Sequence, residues 1–170
     1  LRVLLAVSGS TNAIIHLTAI ARRLGIHISL EKLNQLSDET PVLVNLKPVG
    51  NGYMENFFGA GDLDGVLHQL KDKLHLHCKD VTGQSLEERL NNSSKNYVDQ
   101  SIIYSNSKPI SKMGGLIALF GSLAPEGAIL KRASATPKLL EHEGKAVVFS
   151  SLEDLSKRID DPDLDVTEED

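Results

Sequence analysis

The sequence is poor in cysteine, and this limits the chemistry that it can carry. Its single cysteine, Cys78, excludes an internal disulfide framework, and by itself it cannot supply the several thiolates that a protein-bound metal cluster usually takes. Nothing in the cysteine content points to an oxidising compartment, so we expect a reducing, cytoplasmic setting.

Long apolar runs and a one-sided charge are also missing. No stretch approaches the roughly 20 apolar residues of a membrane span, and the apolar run at residues 1–7 is too short for the core of a signal peptide. The 18 basic and 23 acidic residues are spread along the chain and give a net charge of −5, without a basic stripe. We therefore expect neither a nucleic acid nor a membrane as a partner.

The chain does contain enough apolar residues for a folded core. Hydrophobic residues make up 41% of its 170 positions, and this length fits one domain, or one domain and part of another. The chain opens without methionine, directly in an apolar run. We interpret it as an internal part of a longer protein.

Turn and cap residues mark several helices in the first half of the chain. Residues 1–7 read as a buried strand or a helix end, and the small polar residues at 8–12 then precede a helix that Gly25 can end. One face of that helix carries Ile14, Leu17, Ala21 and Leu24. A short helix is also expected at 30–36.

The next segments are predicted from proline, glycine and a capping pattern. Pro41 opens an apolar strand at 42–46, and helices resume after Tyr53. Residues 59–65 form a break that contains glycine, followed by a helix with Val66, Leu67, Leu70 and Leu74 on one face. The pair Ser85 and Glu88 has the spacing of a capping box.

The second part of the chain reads as richer in strands. Apolar runs at 116–120 and 128–130 are separated by a turn-forming stretch, which predicts paired strands, and 146–149 predicts a third. Ser151 is expected to cap a helix at 152–159, ahead of a solvated acidic tail. We expect an α/β protein with a boundary in the polar run 91–95, giving a helical part at 1–95 with at least one strand and an incomplete β-rich part at 96–170.

Several ordered blocks resemble the dihydroxy-acid dehydratase and sugar-acid dehydratase family. The early blocks are SGSTNA at 8–13 with His16-Leu17, TPVLVNLKP at 40–48, Tyr53-Met54-Glu55 and Val81-Thr82-Gly83. The later blocks are 114–116, 123–128, 144–149 and 159–165. The resemblance to the arabonate-like branch rests on Lys131-x-x-Ser134-Ala135 and on the block 159–165.

This resemblance implies a function. The family consists of hydro-lyases that remove water from a 2,3-dihydroxy acid and give a 2-keto-3-deoxy acid, here from a small-molecule sugar acid such as the pentonate L-arabonate. Two alternatives are a branched-chain dihydroxy-acid dehydratase and a catalytically inactive remnant or interaction module. The resemblance also implies a swivelling, β-barrel-like second domain and a homo-oligomer for the full-length protein.

The family's cofactors are an iron–sulfur cluster and Mg²⁺. The resemblance places their ligands, and the catalytic serine base, in segments outside this chain. No catalytic and no metal-binding residue is therefore assigned here. We expect the isolated 170-residue chain to be inactive as an enzyme.

Five residues are candidates for substrate binding. Ser10, Thr11 and Asn12 stand at a helix start, where hydroxyls and free backbone N–H groups can hold a carboxylate or a polyol; the alternative is simple N-capping. Lys47 and Tyr53 flank the loop 48–52 and could present a cation and a phenol to a bound acid. A solvated lysine and a packed tyrosine are the alternative.

Other residues that attract a functional interpretation are expected to be structural. If residues 75–78 form a strand, His75 and His77 share a face while Cys78 points to the other side, which is not a zinc-binding arrangement. His16 lies next to the apolar helix face and is expected to be packed. For Lys131, a place at the surface is favoured over a role at a site.

Overall fold

The computed structural model describes residues 1–93 and 98–167, which form a mixed α/β structure. The chain divides into two compact units, Leu1–Ser134 and Ala135–Asp170. The predicted boundary at residue 95 lies outside the described residues. Within the described ranges, no helix is long and apolar enough to cross a membrane.

Most of the helices belong to the first unit. They are α1 Arg2–Ala6, α2 Thr11–Arg23, α3 Leu30–Glu39, α4 Met54–Gly59, α5 Asp62–Gln69 and α6 Leu86–Asn92. A two-stranded antiparallel sheet follows, with β1 Ile117–Gly121 and β2 Ala124–Leu130. The second unit contains α7 Leu152–Arg158.

Serine side chains begin four of these helices. The hydroxyls of Ser10, Ser29, Ser85 and Ser151 each accept a hydrogen bond from a backbone N–H in the first turn of the helix that follows. Both hydrogen bonds of the predicted capping box are present: the Ser85 hydroxyl accepts from the N–H of Glu88, and the Glu88 carboxylate accepts from the N–H of Ser85. The predictions of α2, α3, α6 and α7 are therefore confirmed, although α3 extends three residues beyond the predicted end at 36.

Residues 1–7, predicted as a strand or a helix end, contain helix α1, which takes part in two apolar clusters. Leu5 packs with Ile14, Leu33 and Leu116, while Ala6 packs in a second cluster. That second cluster contains Leu43, Val44, Phe57, Ala60, Val66, Leu70 and Ile103. Because neighbouring residues of one short helix face different clusters, α1 lies at the centre of the first unit.

The apolar run at 42–46 is extended but does not form a regular strand. Its residues make single bridges to three different segments, Val42 to Ser111, Val44 to Ile103 and Leu46 to Gly52. The N–H of Leu43 donates to the carbonyl of Ala6 at 2.8 Å. Because the backbone partners change along the run, no continuous ladder forms, although Val42, Leu43 and Val44 are buried.

The hairpin of β1 and β2 confirms the predicted strand pair. Ile117 faces Leu130 and Leu119 faces Ala128, with an irregularity before Gly121. Asn34 of α3 covers the free edge of β1, since its amide donates to the carbonyl of Ala118 at 2.9 Å and accepts from the N–H of Ala118 at 2.7 Å. The N–H and the carbonyl of Ala118 thus both have hydrogen-bond partners, which an uncovered strand edge would lack.

Two other predictions were wrong. Residues 146–149 form no strand: no strand in the described ranges pairs with them, and Val148 is 74% exposed. The break at 59–65 is shorter than predicted, because α4 runs to Gly59 and α5 begins at Asp62, directly after Gly61 with φ 121°. Within the described residues, the sheet has two strands, so the β-barrel-like interpretation remains an expectation.

A hydrogen-bond network around Ser37 joins α3 to the residues on both sides of the hairpin. The Ser37 hydroxyl donates to the carbonyl of Leu116 at 2.6 Å and accepts from Arg132 at 3.0 Å. Arg132 also donates twice to the carbonyl of Gly114, at 3.2 and 3.0 Å, and lies 3.6 Å from Asp38. Ser37 is fully buried, so these groups depend on one another for their partners.

The Ser37→Ala variant is expected to be less stable by about 1–3 kcal/mol, because it leaves the buried Leu116 carbonyl without its donor. Urea denaturation of the wild type and the variant measures this change. Ser107→Ala is the matched control, since the Ser107 hydroxyl lies at the surface, 3.0 Å from that of Ser105. Equal losses in the two variants would contradict a special role for Ser37.

The capping box of α6 predicts a pH dependence. The backbone N–H of Ser85, followed by the Ser85 hydroxyl, lowers the pKa of Glu88 below its ordinary value of about 4.3. A lowered folded-state pKa stabilises the fold above the ordinary value, and this stabilisation is lost as pH falls through the folded-state pKa. Glu88→Gln should be less stable than the wild type at pH 7, and urea denaturation should show the gap closing below about pH 4. A gap that is independent of pH would contradict this assignment.

Candidate functional site

The first unit contains a cavity of about 710 Å³ between the start of α2 and the extended segment that follows Val44. Its lining residues come from α1 and the α1–α2 loop, from the run 44–49, from the helices α4 and α5, and from the residue after β2. Its apolar lining consists of Val3, Val7, Val44, Leu46, Pro48, Val49, Met54, Phe57 and Leu63.

Its polar lining is cationic and hydroxylic. It consists of Ser8, Ser10, Lys47 and Lys131, together with the backbone of Gly9. Among the described residues that line the cavity, none carries a carboxylate. Two ammonium groups without an acidic neighbour in the lining favour an anionic ligand, while the apolar wall can contact its carbon chain.

The loop between α1 and α2 is held in an unusual conformation. Ser8 has φ 51°, in the left-handed region that favours glycine, and it is 8% exposed. Its hydroxyl has no hydrogen-bond partner within the described part of the chain. Gly115 packs directly on it, since a Cβ at position 115 would lie 2.3 Å from the Ser8 Oγ. Only glycine therefore fits at position 115.

Ser10 is the one of the three helix-start candidates that lines the cavity. Its hydroxyl accepts from the N–H of Asn12 at 3.2 Å, so Ser10 caps α2 and contributes to the cavity lining at the same time. Thr11 is half-buried and Asn12 is exposed, and neither side chain is among those that line the cavity. The prediction that Ser10 caps the helix is thus confirmed, and the same residue also lines the cavity.

Lys47 and Tyr53 are brought together by the loop between them. The Lys47 ammonium donates to the Tyr53 hydroxyl and lies 4.0 Å from the centroid of its ring. The loop is closed by the side chain of Asn45, which accepts from the N–H of Asn51 at 2.9 Å, and it contains a cis peptide bond before Pro48. Tyr53 is 60% exposed, so it is not a packed core tyrosine. The phenol thus contacts the cation that lines the cavity.

Lys131 is the site residue that the sequence did not reveal. It follows β2 directly, is half-buried, and lines the same cavity as Lys47, more than 80 residues earlier in the chain. Its side chain is therefore only partly exposed, and a role at the site stays a prediction. In the sequence, only its place in the Lys131-x-x-Ser134-Ala135 block pointed to a functional role. No local pattern indicates that the end of β2 lies beside the distant loop that carries Lys47.

The histidines and the cysteine offer no metal site among the described residues. His75 and His77 lie in a turn with their ring centroids 6.2 Å apart, and Cys78 is exposed. Residues 1–93 and 98–167 contain no group of three or more His, Cys, Asp or Glu side chains that could hold a metal ion. These residues therefore do not fit an iron–sulfur cluster or a magnesium site. His16 is exposed, so the expectation of a packed histidine was wrong.

Comparison with protein families gives matches along nearly the whole chain. The family model described as "Dihydroxy-acid/6-phosphogluconate dehydratase N-terminal" matches residues 1–89. The corresponding C-terminal model matches residues 101–170. Together, the two models cover the α1–α2 loop, Lys47, Tyr53 and Lys131.

Curated relatives carry several substrate names. The chain is 43% identical to a 6-deoxy-6-sulfo-D-gluconate dehydratase of Pseudomonas putida, over 97% of the chain and 29% of the relative. It is 41% identical to an L-arabinonate dehydratase of Rhizobium leguminosarum, over 96% of the chain and 28% of the relative. The chain is also 40% identical to a dihydroxy-acid dehydratase of Caldicellulosiruptor bescii, over 91% of the chain and 28% of the relative. The chain thus spans less than a third of the length of these relatives.

Ser8→Gly is expected to stabilise the chain by about 1 kcal/mol. The change removes the cost of a left-handed serine, roughly 1–2 kcal/mol, and a buried hydroxyl without a partner, while glycine adds back about 0.5–1 kcal/mol of chain entropy. Urea denaturation measures the difference. Ser10→Gly, which changes a helix cap by only a few tenths of a kcal/mol, is the control. A destabilised Ser8→Gly variant would show that the hydroxyl has a partner.

Proposed function

Because this chain belongs to the dihydroxy-acid/6-phosphogluconate dehydratase family, we propose that it is part of a hydro-lyase that removes water from a 2,3-dihydroxy acid and gives a 2-keto-3-deoxy acid. The observation that carries this proposal is the cavity, in which Lys47, Lys131 and Ser10 face an apolar wall. Such a site suits a small organic acid with hydroxyl groups near its carboxylate.

Each of the five predicted substrate-binding residues has a proposed role in binding. The Lys47 ammonium pairs with the substrate carboxylate, and Tyr53 holds that ammonium in position through its hydroxyl. The Ser10 hydroxyl, at the start of α2, accepts from or donates to a substrate hydroxyl. Thr11 joins the proposed site through its backbone N–H at the start of α2, since its side chain is not in the lining. The N–H of Asn12 already donates to the Ser10 hydroxyl, so the proposed contact of Asn12 is made by its exposed side chain.

The cofactors of the reaction are proposed to be held elsewhere in the full-length protein. An iron–sulfur cluster and Mg²⁺ are implied by the family resemblance, and the described residues do not fit either group. We therefore assign no step of the dehydration to a residue of this chain; its proposed part in the reaction is to bind and orient the acid. A cytoplasmic homo-oligomer with a β-barrel-like second domain is the assembly that we propose for the full-length protein.

Two substrate classes fit different parts of the cavity. The hydroxyls and ammonium groups favour a sugar acid such as L-arabonate, which offers many hydrogen-bonding groups. The nine apolar side chains of the wall favour the second candidate, a branched-chain dihydroxy acid, whose methyl groups would be buried against them. The Rhizobium relative is named for the first substrate and supports the first candidate, and the Caldicellulosiruptor relative is named for a dihydroxy acid and supports the second.

The binding role of Lys47 can be measured on this chain. Isothermal titration calorimetry with L-arabonate and with 2,3-dihydroxyisovalerate should detect binding of at least one acid, and Lys47→Gln should weaken it about tenfold, since a hydrogen bond to a charged group is lost. Lys112→Gln is the control, because it removes the same charge at an exposed position that does not line the cavity. Absence of binding by both acids, or equal effects of the two variants, would refute the proposed site.

The enzymatic part of the proposal requires a longer protein. We expect the 170-residue chain to give no 2-keto acid after anaerobic cluster reconstitution with Mg²⁺. A version extended at both ends to the length of the relatives should turn over one of the two acids. If the extended protein binds the acids but does not dehydrate them, the interpretation as an inactive remnant would be correct instead.

A further inference from the structure

Arg132 does not line the cavity, but the residue before it does. The Arg132 side chain is only 17% exposed, and its guanidinium donates to the Ser37 hydroxyl at 3.0 Å and twice to the carbonyl of Gly114, at 3.0 and 3.2 Å. Asp38 lies 3.6 Å away, on the same helix as Ser37. A charge so far removed from water requires such partners, and together they hold the guanidinium in one position.

Lys131 has the opposite surroundings. It lines the cavity and is half-buried, yet among residues 1–93 and 98–167 its ammonium group has no ion-pair and no hydrogen-bond partner. The end of the side chain is therefore not what fixes the place of this charge. Its place depends on the backbone of residue 131, which the contacts of the next residue hold.

The segment of Gly114 and Gly115 joins α3 to the α1–α2 loop. The N–H of Gly114 donates to the Ser37 carbonyl at 2.7 Å, and the N–H of Gly115 donates to the Leu5 carbonyl at 3.1 Å. Gly115 also packs on Ser8, at the beginning of the loop that lines the cavity. This segment therefore has a fixed place relative to that loop.

The residues after β2 are fastened to the same segment. The Arg132 guanidinium binds the carbonyl of Gly114, and the N–H of Ala133 donates to the carbonyl of Gly115 at 3.2 Å. Two neighbouring carbonyls thus tie the backbone beside Lys131 to the loop that carries the cavity's serines. Binding residues have to be held to within about 0.5 Å of their productive positions, and supporting contacts behind the site achieve this.

We propose that Arg132 is a positioning residue of the cavity, which holds the Lys131 ammonium at the distance from the α1–α2 loop that binding of the acid requires. This inference rests on the proposed function, in which the cavity binds an organic acid. Lys131 attracts the negative charge of the acid, and Arg132 keeps that attraction in one place. Without the guanidinium, residue 131 loses its tie to Gly114 and α3, and the ammonium on its flexible stem spreads over positions away from the ligand.

Calorimetric titration of the 170-residue chain with L-arabonate and with 2,3-dihydroxyisovalerate tests this role. For an acid that the wild type binds, Lys131→Gln and Arg132→Gln should each weaken the affinity about tenfold. The double variant should also be weakened only about tenfold, because the two residues act through one contact with the ligand. Independent residues would multiply to a loss of about a hundredfold.

Two further variants separate positioning from charge and from stability. Arg132→Lys keeps the positive charge but lacks the planar group that reaches both Ser37 and Gly114, so most of the tenfold loss should remain. Leu90→Ala truncates a buried side chain of α6 that does not line the cavity. It should lower the urea midpoint while changing the affinity less than about twofold. Urea denaturation shows which variants are folded, and Arg132→Lys carries the test if Arg132→Gln does not fold.

The outcomes separate this inference from the proposed function. If Lys131→Gln or Arg132→Gln binds the acid as tightly as the wild type does, or if Arg132→Lys restores full affinity, Arg132 positions nothing and the inference is wrong, while the proposed function stands. A hundredfold loss in the double variant overturns it as well, since Arg132 then does not act through Lys131. An equal loss in Leu90→Ala does the same, because affinity then follows stability. If neither acid binds the wild type, the proposed function itself fails.

Discussion

The buried hydroxyl of Ser37 is the contact on which the rest of the first unit depends. It lies on α3, in the helical part of the chain, and bonds both the residue that leads into β1 and the arginine that follows β2. The hairpin is thereby held against α3 at both of its ends, and Asn34 covers its edge one turn earlier on the same helix. Because Lys131 directly precedes Arg132, this structural network also determines where the second cation of the cavity lies.

Local features of the sequence were enough to find most helices. Four of them begin at a serine whose hydroxyl caps the first turn, and such a cap is visible in the sequence because it acts over two or three residues. Extended segments were harder to predict. The run 42–46 and the run 146–149 look alike as apolar stretches, yet the first makes β-bridges to three other segments, whereas the second makes no β-bridge to any described residue. Strand formation depends on partners that the local sequence does not specify.

The same limit applies to the site. Ser10, Lys47 and Tyr53 were predicted because each stands beside a turn or a helix start, where side chains reach a ligand, and the structure places them at or beside one cavity. Lys131 could not be found in this way, since its place depends on the contacts of its neighbour with α3. The prediction for His16 was wrong for a related reason. The periodicity of α2 indicates an apolar face, but only Ile14 of that helix is buried, whereas Ile15 and Ile20 are largely exposed.

The central place of α1 has a consequence for the order in which the chain can fold. The carbonyl of Ala6 receives its hydrogen bond from Leu43, and the carbonyl of Leu5 receives one from Gly115. During synthesis at about 5–20 residues per second, the second of these partners emerges from the ribosome on the order of ten seconds after α1. Throughout that interval, Leu5 lacks both the N–H that donates to its carbonyl and the Leu116 side chain of its cluster. The packing of this short helix is therefore completed only after the residues that lead into β1 have been synthesised.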